Sequence, residues 1–434
     1  MGDGRMSGPG ALGRLDGLER EERLARLQLH GGLTPADVDE LAGDTPLGFE
    51  AADQMIENAI GVLGLPLGIG LHVRVNGRDH AVPMAVEEPS VIAAASRAAR
   101  LVREAGGFDA DADPGVMIGQ IHLVGVPDPD AAAGRVRAAA ATLLAAADAV
   151  HPNMVRRGGG ARGLEVRVLP DAACGPVLAV HVLVDVGDAM GANAINTIVE
   201  ALAPAVEDLA GGTSRLRILS NLADRRCARA RCRIPVDLLR HGDLDGTEVA
   251  HRVAEACAIA AADPYRAATH NKGIMNGIDA VALATGQDWR GIEAGAHAYA
   301  ARTGRYEPLS RWTVDAGALL GALELPLAVA TVGGNLGLNP RVGVALRLLG
   351  VRSARELAQV MAAVGLAQNL AALRALVTDG IQRGHMALHA RGLVAAVGAP
   401  EALRLEVTRR LIASGEVKLA TARRILSEMQ AEAR

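Results

Sequence analysis

The chain has 434 residues, of which half are hydrophobic, and it carries a formal net charge of −4 with a sequence pI near 6.3. This length predicts two or three domains. The absence of a long basic run argues against a nucleic-acid partner, because phosphate binding needs clustered Lys and Arg. No signal peptide or membrane-spanning segment is evident, so we expect a cytoplasmic protein without a membrane partner.

The first 113 residues predict short helices followed by strands. Apolar and polar residues alternate over 71–86, and Asn76-Gly77 in the middle predicts a β-hairpin. An Ala-rich stretch, 89–107, predicts a helix that ends at Gly106-Gly107. These elements are expected to be the first part of a large substrate-binding domain.

A regular pattern begins at Pro114 and predicts a separate small domain over 114–224. The predicted elements are a strand at 116–126, a helix at 129–150, strands at 164–169 and 176–186, a helix at 188–212 and a strand at 214–220. That order is βαββαβ, the ferredoxin-like unit. Its size lies within the usual range for a domain.

The rest of the chain predicts helices, turns and apolar strands such as 325–334, with a long helix at 353–376. From Gly380 onwards the sequence predicts helices alone. The predicted fold class is therefore α+β. A large mixed domain (1–113 and 225–379) carries the inserted small domain, and a small helical domain (380–434) follows.

Two glycine-containing motifs have different contexts. "GGGARG" (158–163) satisfies G-x-G-x-x-G, but a helix is predicted before it and a strand after it. A dinucleotide fingerprint needs the reverse order, so a Rossmann site is excluded. "GDAMGAN" (187–193) runs from a strand into a helix, a context suited to anion binding. Its Asp188 is alternatively a helix N-cap.

Lys272 is one of only two lysines among 45 basic residues; the other is Lys418. A lysine can shift its pKa and give up a proton, which an arginine cannot, so this position suggests proton-transfer chemistry, although chance also explains it. Glu88 follows another glutamate before a proline, where it is either a solvated acid at a helix N-terminus or a general acid. Asp288 either holds the ammonium group of Lys272 or is the N-cap of the helix that follows it.

Histidine and cysteine spacing does not predict a metal site. His385 and His389 stand at i, i+4, but no Glu follows the first histidine as in H-E-x-x-H, which leaves a single catalytic histidine or surface residues. The four cysteines lack zinc-ligand spacing and are expected to be reduced, buried thiols.

Seven segments, taken together, resemble bacterial class II 3-hydroxy-3-methylglutaryl-CoA reductases over essentially the whole chain. They are "MIENAIGVLGLPLGI" (55–69), "VEEPSVIAAAS" (86–96), "DVGDAMGANAINT" (185–197), "RILSNLADRR" (217–226), "DPYRAATHNKGIMNGIDAV" (263–281), "GQDWRGIEAGAHAYA" (286–300) and "GIQRGHMALHAR" (380–391). The resemblance implies reduction of 3-hydroxy-3-methylglutaryl-CoA to mevalonate and CoA by two nicotinamide hydrides.

The resemblance also implies roles for individual residues. The four catalytic positions are matched by Glu88, Lys272, Asp288 and His385. Positions that hold the substrate or its CoA moiety are matched by Ser90, Arg266, Asn221 and Asn276. The nicotinamide cofactor is expected at Asp188, Met190, Gly191 and Asn193. It further implies a homodimer with each active site at the interface, and a mobile C-terminal helical domain that closes over the site.

Cofactor choice depends on the segment 151–157. NADH-dependent relatives carry an Asp seven residues before "GGG", where this chain has His151, followed by Arg156 and Arg157. An acid there would repel the 2′-phosphate of NADPH, whereas guanidinium groups bind phosphate. We therefore expect modest preference for NADPH with NADH still used. The family's Arg beside "DAMGAN" is Gly187 here, and "GGNLGLNP" (333–340) also departs from the family pattern.

A different class of function is a non-catalytic CoA- or nucleotide-binding protein that retains the fold. The presence of all four catalytic side chains argues against it, because a dead site is expected to lose its lysine or histidine. Measurement of reductase activity discriminates between the two.

Overall fold

Ten β-strands in the described part of the chain form three sheets, and all neighbouring strands are antiparallel. The computed structural model describes residues 8–44 and 47–432, apart from the side chains of residues 335, 381–388 and 432. The strands are β1 (Leu67–Val75), β2 (Arg78–Ala85), β3 (Asp109–Ala112), β4 (Val116–Val124), β5 (Gly160–Leu169), β6 (Val177–Asp185), β7 (Thr213–Leu219), β8 (Cys227–Pro235), β9 (Ser310–Asp315) and β10 (Ala318–Pro326).

Sixteen α-helices accompany these strands within the described residues. They are α1 (Arg20–Gly31), α2 (Pro35–Ala42), α3 (Phe49–Met55), α4 (Val91–Glu104), α5 (Pro129–Ala138), α6 (Ala140–Val150), α7 (Pro152–Arg156), α8 (Ala192–Ala210), α9 (Gly246–Ala262), α10 (Pro264–Ala284), α11 (Trp289–Ala300), α12 (Pro340–Leu349), α13 (Ala354–Val377), α14 (Ile381–Ala396), α15 (Glu401–Ala413) and α16 (Leu419–Glu432). The predicted α+β class is confirmed.

The β1–β2 hairpin turns where the sequence predicts it. Asn76 and Gly77 both have positive φ, 49° and 80°, which is the geometry of the two-residue turn that Asn-Gly favours. Helix α4 packs on β1, and α10 packs on β2. The hairpin thus lies beside α4, which begins three residues after Glu88, and beside α10, which carries Lys272.

The second sheet has the order β3-β8-β10-β9 and buries one face of the basic segment 225–233. Ala228, Ala230 and Cys232 point into the main apolar core. Arg229 alternates with them and pairs with carboxylates at the sheet surface, namely Asp111, Asp113 and Glu324. Charged and buried residues therefore alternate along β8.

The third sheet has the order β5-β6-β4-β7, which is the strand order of a ferredoxin-like βαββαβ unit. Helices α5, α6 and α8 pack on this unit, and its buried apolar residues form a cluster of their own. The single helix expected over 129–150 is divided at Ala139 into α5 and α6. Helix α7 precedes "GGGARG" and β5 begins within it at Gly160, so the helix-to-strand order that excluded a Rossmann motif is also observed.

Two expectations are wrong. The strand predicted over 325–334 ends at Pro326, the last residue of β10. Proline lacks the backbone N–H that would donate to a neighbouring strand. The backbone that follows bonds to side chains instead, as Gln287 Oε1 accepts from Ala330 N and Arg226 donates to Val329 O. Of the four free cysteines, Cys174 is exposed rather than buried, because it lies in the turn between β5 and β6.

Helix α13 is long and apolar enough to cross a membrane, by length and composition alone. It is also the central core helix: it packs against α10, α4 and β8, and 67% of its most apolar window is buried inside the protein. Helices α14, α15 and α16 enclose a separate apolar cluster at the C-terminal end. The residue boundaries of the three expected domains remain predictions.

Candidate active site

A cavity of about 380 Å³ lies between α4, α10 and α13. Its walls are largely small apolar residues of α4 and α13, among them Ala94, Ala98 and Ala371. Five of the residues predicted to bind or act on substrate line it, namely Glu88, Ser90, Arg266, Lys272 and Asn276. An apolar cleft with a few convergent polar groups is the usual form of a small-molecule site.

Lys272 and Glu88 meet at the cavity. Lys272 Nζ donates to Glu88 Oε2 over 2.9 Å, and the two side chains are 60% and 38% exposed. An ion pair this exposed contributes about 0–1 kcal/mol to stability, so stability does not account for it. Because Asn276 follows Lys272 by four residues on α10, both side chains lie on one face of the helix. The pair joins an amine and a carboxyl group that can exchange a proton.

Ser90 has an unusual backbone conformation at the mouth of the cavity. It is the N-cap of α4 with φ of 79°, in the left-handed region that a residue with a Cβ seldom occupies. Its hydroxyl makes no capping bond, and the buried Oγ has no partner. Strain of this kind is concentrated at functional sites. The conformation leaves the hydroxyl available to a ligand.

Unpartnered polar atoms concentrate around this cavity. In the described part of the chain nine buried side-chain nitrogen or oxygen atoms have no hydrogen-bond partner, and five of them belong to cavity-lining residues. Those five atoms are Ser90 Oγ, Arg266 Nη1, His270 Nδ1, Gln368 Oε1 and Arg374 Nε. Buried polar groups are ordinarily paired. The concentration indicates a site whose hydrogen bonds are completed by a ligand.

Asp288 and Asn221 do not line the cavity in this chain. Asp288 is the N-cap of α11, and its Oδ1 accepts from Gly291 N over 3.1 Å. Asn221 is adjacent, since a Cβ built on Gly291 would lie 2.6 Å from Asp288 Oδ2 and 3.3 Å from Asn221 Oδ1. Lys272 stands twelve residues before the C-terminal end of α10, about 18 Å along the helix axis. The N-cap interpretation of Asp288 is confirmed, and the expected contact with Lys272 is not made within one chain.

The turn at 187–193 is held by its neighbours. Asp188 Oδ1 accepts from Ala354 N over 2.8 Å, so this carboxylate caps α13 rather than α8. The buried Arg226 guanidinium donates to the carbonyl oxygens of Ala189 and Val329. Burial lowers the pKa of Arg226 to about 10, which leaves it charged at neutral pH. In the same turn, Met190 is half-buried and Asn193 is exposed.

Helix α8 begins at this turn without a side-chain cap. Its N-cap is Gly191, with φ of 92°, and a Cβ there would lie 2.6 Å from a Val186 methyl group, so glycine is required. The first N–H groups of a helix have no partner within it and favour an anion. This end of α8 therefore offers donors for a phosphate or carboxamide.

The segment 151–157 lies on α7 and its N-terminal junction. His151 connects α6 to α7 and has a buried Nε2 without a partner. Arg156 donates to Asn153, and Arg157 is exposed at the C-terminal end of α7. Arg162 donates both to Gly158 O, in the loop that follows, and to Asp185 at the end of β6, whose carboxylate also accepts from Gly187 N in the turn. The two predicted cofactor segments are thus near each other.

The side chain of His385 lies outside those that the structure describes; its backbone belongs to α14. Helix α14 begins just after Asp379 and Gly380, which line the cavity. Asp379 also pairs with His241 over 2.7 Å. The start of the C-terminal helices is therefore adjacent to the cavity.

Sequence reasoning missed the contribution of α13. Gln368 and Asn369 line the cavity from this helix, as does Arg374. The signal was present, because "QN" interrupts a long apolar run in the helix that lies at the centre of the core. His270 was also missed; it lies one helical turn after Arg266, on the face predicted to bind substrate.

Comparisons with known proteins agree with this site. The family model for hydroxymethylglutaryl-coenzyme A reductase matches residues 19–390. The chain is 47% identical over 414 residues to the 3-hydroxy-3-methylglutaryl-coenzyme A reductase of Archaeoglobus fulgidus, covering 95% of this chain and 93% of the relative. It is 36% identical to a probable enzyme of the same name from Borreliella burgdorferi, covering 77% and 76%.

Solved structures give the same assignment. The class II 3-hydroxy-3-methylglutaryl-CoA reductase from Streptococcus pneumoniae, bound to NADPH in open conformations, superposes with a TM-score of 0.81 at 46% identity, covering 95% of this chain and 100% of that one. A second structure of the Streptococcus pneumoniae reductase gives a TM-score of 0.82. On its cavity, its fold and these matches, the chain belongs to the hydroxymethylglutaryl-coenzyme A reductase family.

Proposed function

We propose that the protein interconverts 3-hydroxy-3-methylglutaryl-CoA and mevalonate plus CoA, with NADPH or NADH as the reductant. The observation that carries the proposal is the Lys272–Glu88 pair at an apolar cavity of a chain in this family. The cavity walls suit an acyl and pantetheine chain, and Arg266 supplies a fixed positive charge for the free carboxylate of the acyl group. Ser90 and Asn276 supply further polar contacts.

Lys272 is proposed to stabilise the oxygen anions of both reductive steps. A reduced nicotinamide would supply one hydride, so two cofactor molecules would bind in succession, one for each reductive step. The thioester carbonyl becomes a thiohemiacetal, and the aldehyde formed on its collapse becomes an alcohol, so negative charge develops on oxygen twice. An ammonium held at that oxygen neutralises it, and such fixed electrostatic stabilisation is often the largest contribution to catalysis. Glu88, 2.9 Å from Lys272 Nζ, is proposed to return a proton to Lys272 when its own carboxyl group is protonated.

His385 is proposed to protonate the departing CoA thiolate. This role follows from the resemblance of "GIQRGHMALHAR" to the family's C-terminal motif. It is supported by the location of Asp379 and Gly380 in the cavity wall, directly before α14. A helical domain that begins there, at about residue 380, is in a position to close over bound substrate.

The nicotinamide cofactor is proposed to bind at the N-terminal end of α8, with Asp188, Met190, Gly191 and Asn193 around it. The uncapped N–H groups of α8 support this position. A Streptococcus pneumoniae relative of similar structure was solved with NADPH. His151, Arg156 and Arg157 are proposed to contact the 2′-phosphate, which gives a modest preference for NADPH. No group of three metal-ligating side chains occurs among the residues described, and no metal is proposed.

A homodimer is proposed, with each active site shared between two chains. The predicted site residues fall into two groups within one chain, which supports a shared site. Lys272 and Glu88 line the cavity, whereas Asp288 and Asn221 lie together elsewhere. An exposed apolar segment between α3 and β1 supports it too, because Ile60 and Leu63 are 100% and 95% exposed. Exposed apolar surface of this kind marks an interface. In a dimer, Asp288 of one chain would approach Lys272 of the other.

The proposed organisation is a large substrate domain (1–113 and 225–379), a small cofactor domain (114–224) and a C-terminal helical domain (380–434), in a cytoplasmic enzyme. Separate apolar clusters in the three regions support it. The function is tested by the absorbance of NADPH and of NADH with 3-hydroxy-3-methylglutaryl-CoA, and by the reverse reaction with mevalonate and CoA. Turnover in either direction is expected. Tight binding of CoA without any turnover would instead support the non-catalytic alternative.

A further inference from the structure

Arg226 is a buried arginine between the 187–193 turn and the segment that follows β10. It is 5% exposed, and its guanidinium makes three hydrogen bonds in the described part of the chain. All three go to backbone carbonyl oxygens, namely Ala189 O at 3.0 Å, Gly187 O at 3.4 Å and Val329 O at 2.6 Å. Arg226 therefore fastens the turn to the rest of the protein without an ion pair among the described residues.

The charge of Arg226 has only partial compensation within the chain. Burial lowers its pKa to about 10, and the charges of Asp185 and Asp188 act in the opposite direction. Both carboxylates already accept hydrogen bonds from other groups, Asp185 from Gly187 N and Asp188 from Ala354 N. A buried charge is costly without an opposite charge beside it. A positive charge is thus fixed at the turn, and it favours an anion there.

The contacts of Arg226 also set the direction of two backbone N–H groups in the turn. The C=O of one residue and the N–H of the next belong to one peptide unit, and in a trans peptide they point in opposite directions. No peptide bond in the described part of the chain is cis. The carbonyls of Gly187 and Ala189 face Arg226. The N–H groups of the next residues, Asp188 and Met190, therefore point away from it.

These two N–H groups are available to a ligand. Neither has an acceptor in the described part of the chain, and they directly precede the uncapped start of α8. A hydrogen bond to the carbonyl of a peptide unit polarises that unit, which makes its N–H a stronger donor. Hydrogen bonds from backbone N–H groups to an anion are charge-assisted and therefore strong.

We propose that Arg226 is a positioning residue for the nicotinamide cofactor, which holds the turn so that the N–H groups of Asp188 and Met190 bind a phosphate group of the cofactor. This rests on the proposed function for the location of the cofactor at the start of α8. Arg226 acts through the peptide units of the turn, and its own charge adds to the attraction of the phosphate.

Three variants separate this role from a purely structural one. Arg226→Met removes the charge and the donors, whereas Arg226→Lys keeps the charge without the planar fork. Arg225→Met is the matched control, because Arg225 is the neighbouring arginine, is exposed and pairs with Glu165 at the surface. The probes are NADPH and, for the separate cavity, CoA. Each is titrated calorimetrically into every variant, with urea unfolding measured alongside.

The expected result is a Kd for NADPH about tenfold weaker in Arg226→Met, as for loss of one hydrogen bond to a charged group, with the Kd for CoA unchanged. Arg226→Lys is expected to be intermediate, and Arg225→Met to bind both ligands as the wild type does. Equal weakening for both ligands, or a lower unfolding midpoint with NADPH affinity unchanged, would make Arg226 purely structural and overturn the inference. If Arg226→Met does not fold, Arg226→Lys decides by the same ratio of affinities.

Nitrogen-15 labelling of methionine tests the direction of the N–H group without substitution of Arg226. The backbone resonance of Met190 is assigned from its absence in Met190→Leu. In the wild type this resonance is expected to shift on addition of NADPH and not on addition of CoA. NADPH binding without that shift overturns the inference alone. Failure of the wild type to bind either NADPH or NADH overturns the proposed function and this inference with it.

Discussion

The cavity and the 187–193 turn use their polar groups in opposite ways. Around the cavity, Ser90, Arg266 and Gln368 leave buried polar atoms without partners. At the turn, the Asp188 carboxylate already caps α13 and the Arg226 guanidinium already binds backbone carbonyls. The comparison teaches that the first region is prepared to form hydrogen bonds with a ligand. In the second region these side chains already have partners, so the groups it offers to a ligand are the backbone N–H groups at the start of α8.

Substitution of Lys272 by arginine is expected to have the largest effect on the cavity region. Arginine keeps the charge but cannot give up a proton and is no longer a compact point charge. We expect kcat to fall at least about hundredfold, as on loss of a charge-stabilising donor, with circular dichroism unchanged. Lys418→Arg is the matched control, because Lys418 is the other lysine and is exposed. Retention of more than a few per cent of activity in Lys272→Arg would remove the proposed role.

His385→Gln sharpens the comparison by separating the two reductive steps. Only reduction of the thioester must release CoA thiolate, so that reaction is expected to fall far more than reduction of free mevaldehyde. The two rates are measured with the same cofactor. His389→Gln, four residues later on α14, is the control. Equal losses in both reactions would move the thiolate acid to another residue of the C-terminal helices.

His151→Asp tests whether the segment 151–157 distinguishes the 2′-phosphate of NADPH from the 2′-hydroxyl of NADH. An acid there is expected to repel the 2′-phosphate, so kcat/KM with NADPH should fall while that with NADH is kept or improved. The wild type is expected to use both, with modest preference for NADPH. A strong native preference for NADH, or undiminished use of NADPH by the variant, would show that this segment does not select the cofactor.

Asp279→Asn addresses the junction between α10, which carries Lys272, and α11, which Asp288 caps. Burial, and then the neighbouring Glu293, raise the pKa of Asp279 to about 8. Because the folded pKa is above the unfolded value of 3.8, this group's contribution to stability is present at low pH and is lost as the pH rises from about 4 to about 8.

The Asn variant imitates the protonated acid, so it should be more stable than the wild type above pH 8 and should lose this part of the pH dependence. Urea unfolding across pH measures it. Asp208→Asn, at an exposed acid on α8, is the control and should leave the pH dependence unchanged. A wild-type stability that does not decline over this interval would contradict the raised pKa.

The sequence predicted the elements whose patterns are local. The β1–β2 turn followed from Asn76-Gly77, and the βαββαβ order followed from alternating strand and helix periods. The assignment of Glu88 and Lys272 to one catalytic site followed only from family resemblance, since 184 residues separate the two in sequence. The network of His270 with Ser310 and Asn369 could not be predicted, because it joins α10, β9 and α13 through packing that no local pattern specifies. The loss of strand after Pro326 was predictable from the proline and was overlooked.

The division of the site between two chains is tested most directly by mixing two inactive variants, Lys272→Ala and Asp288→Ala, under conditions that let the chains exchange. If Lys272 of one chain works with Asp288 of the other, each mixed dimer contains one intact site. Random exchange makes half of the dimers mixed, so activity should return to about a quarter of the wild-type value. If both residues act within one chain, every site in the mixture remains defective, and the absence of any recovery after confirmed exchange would contradict the shared site.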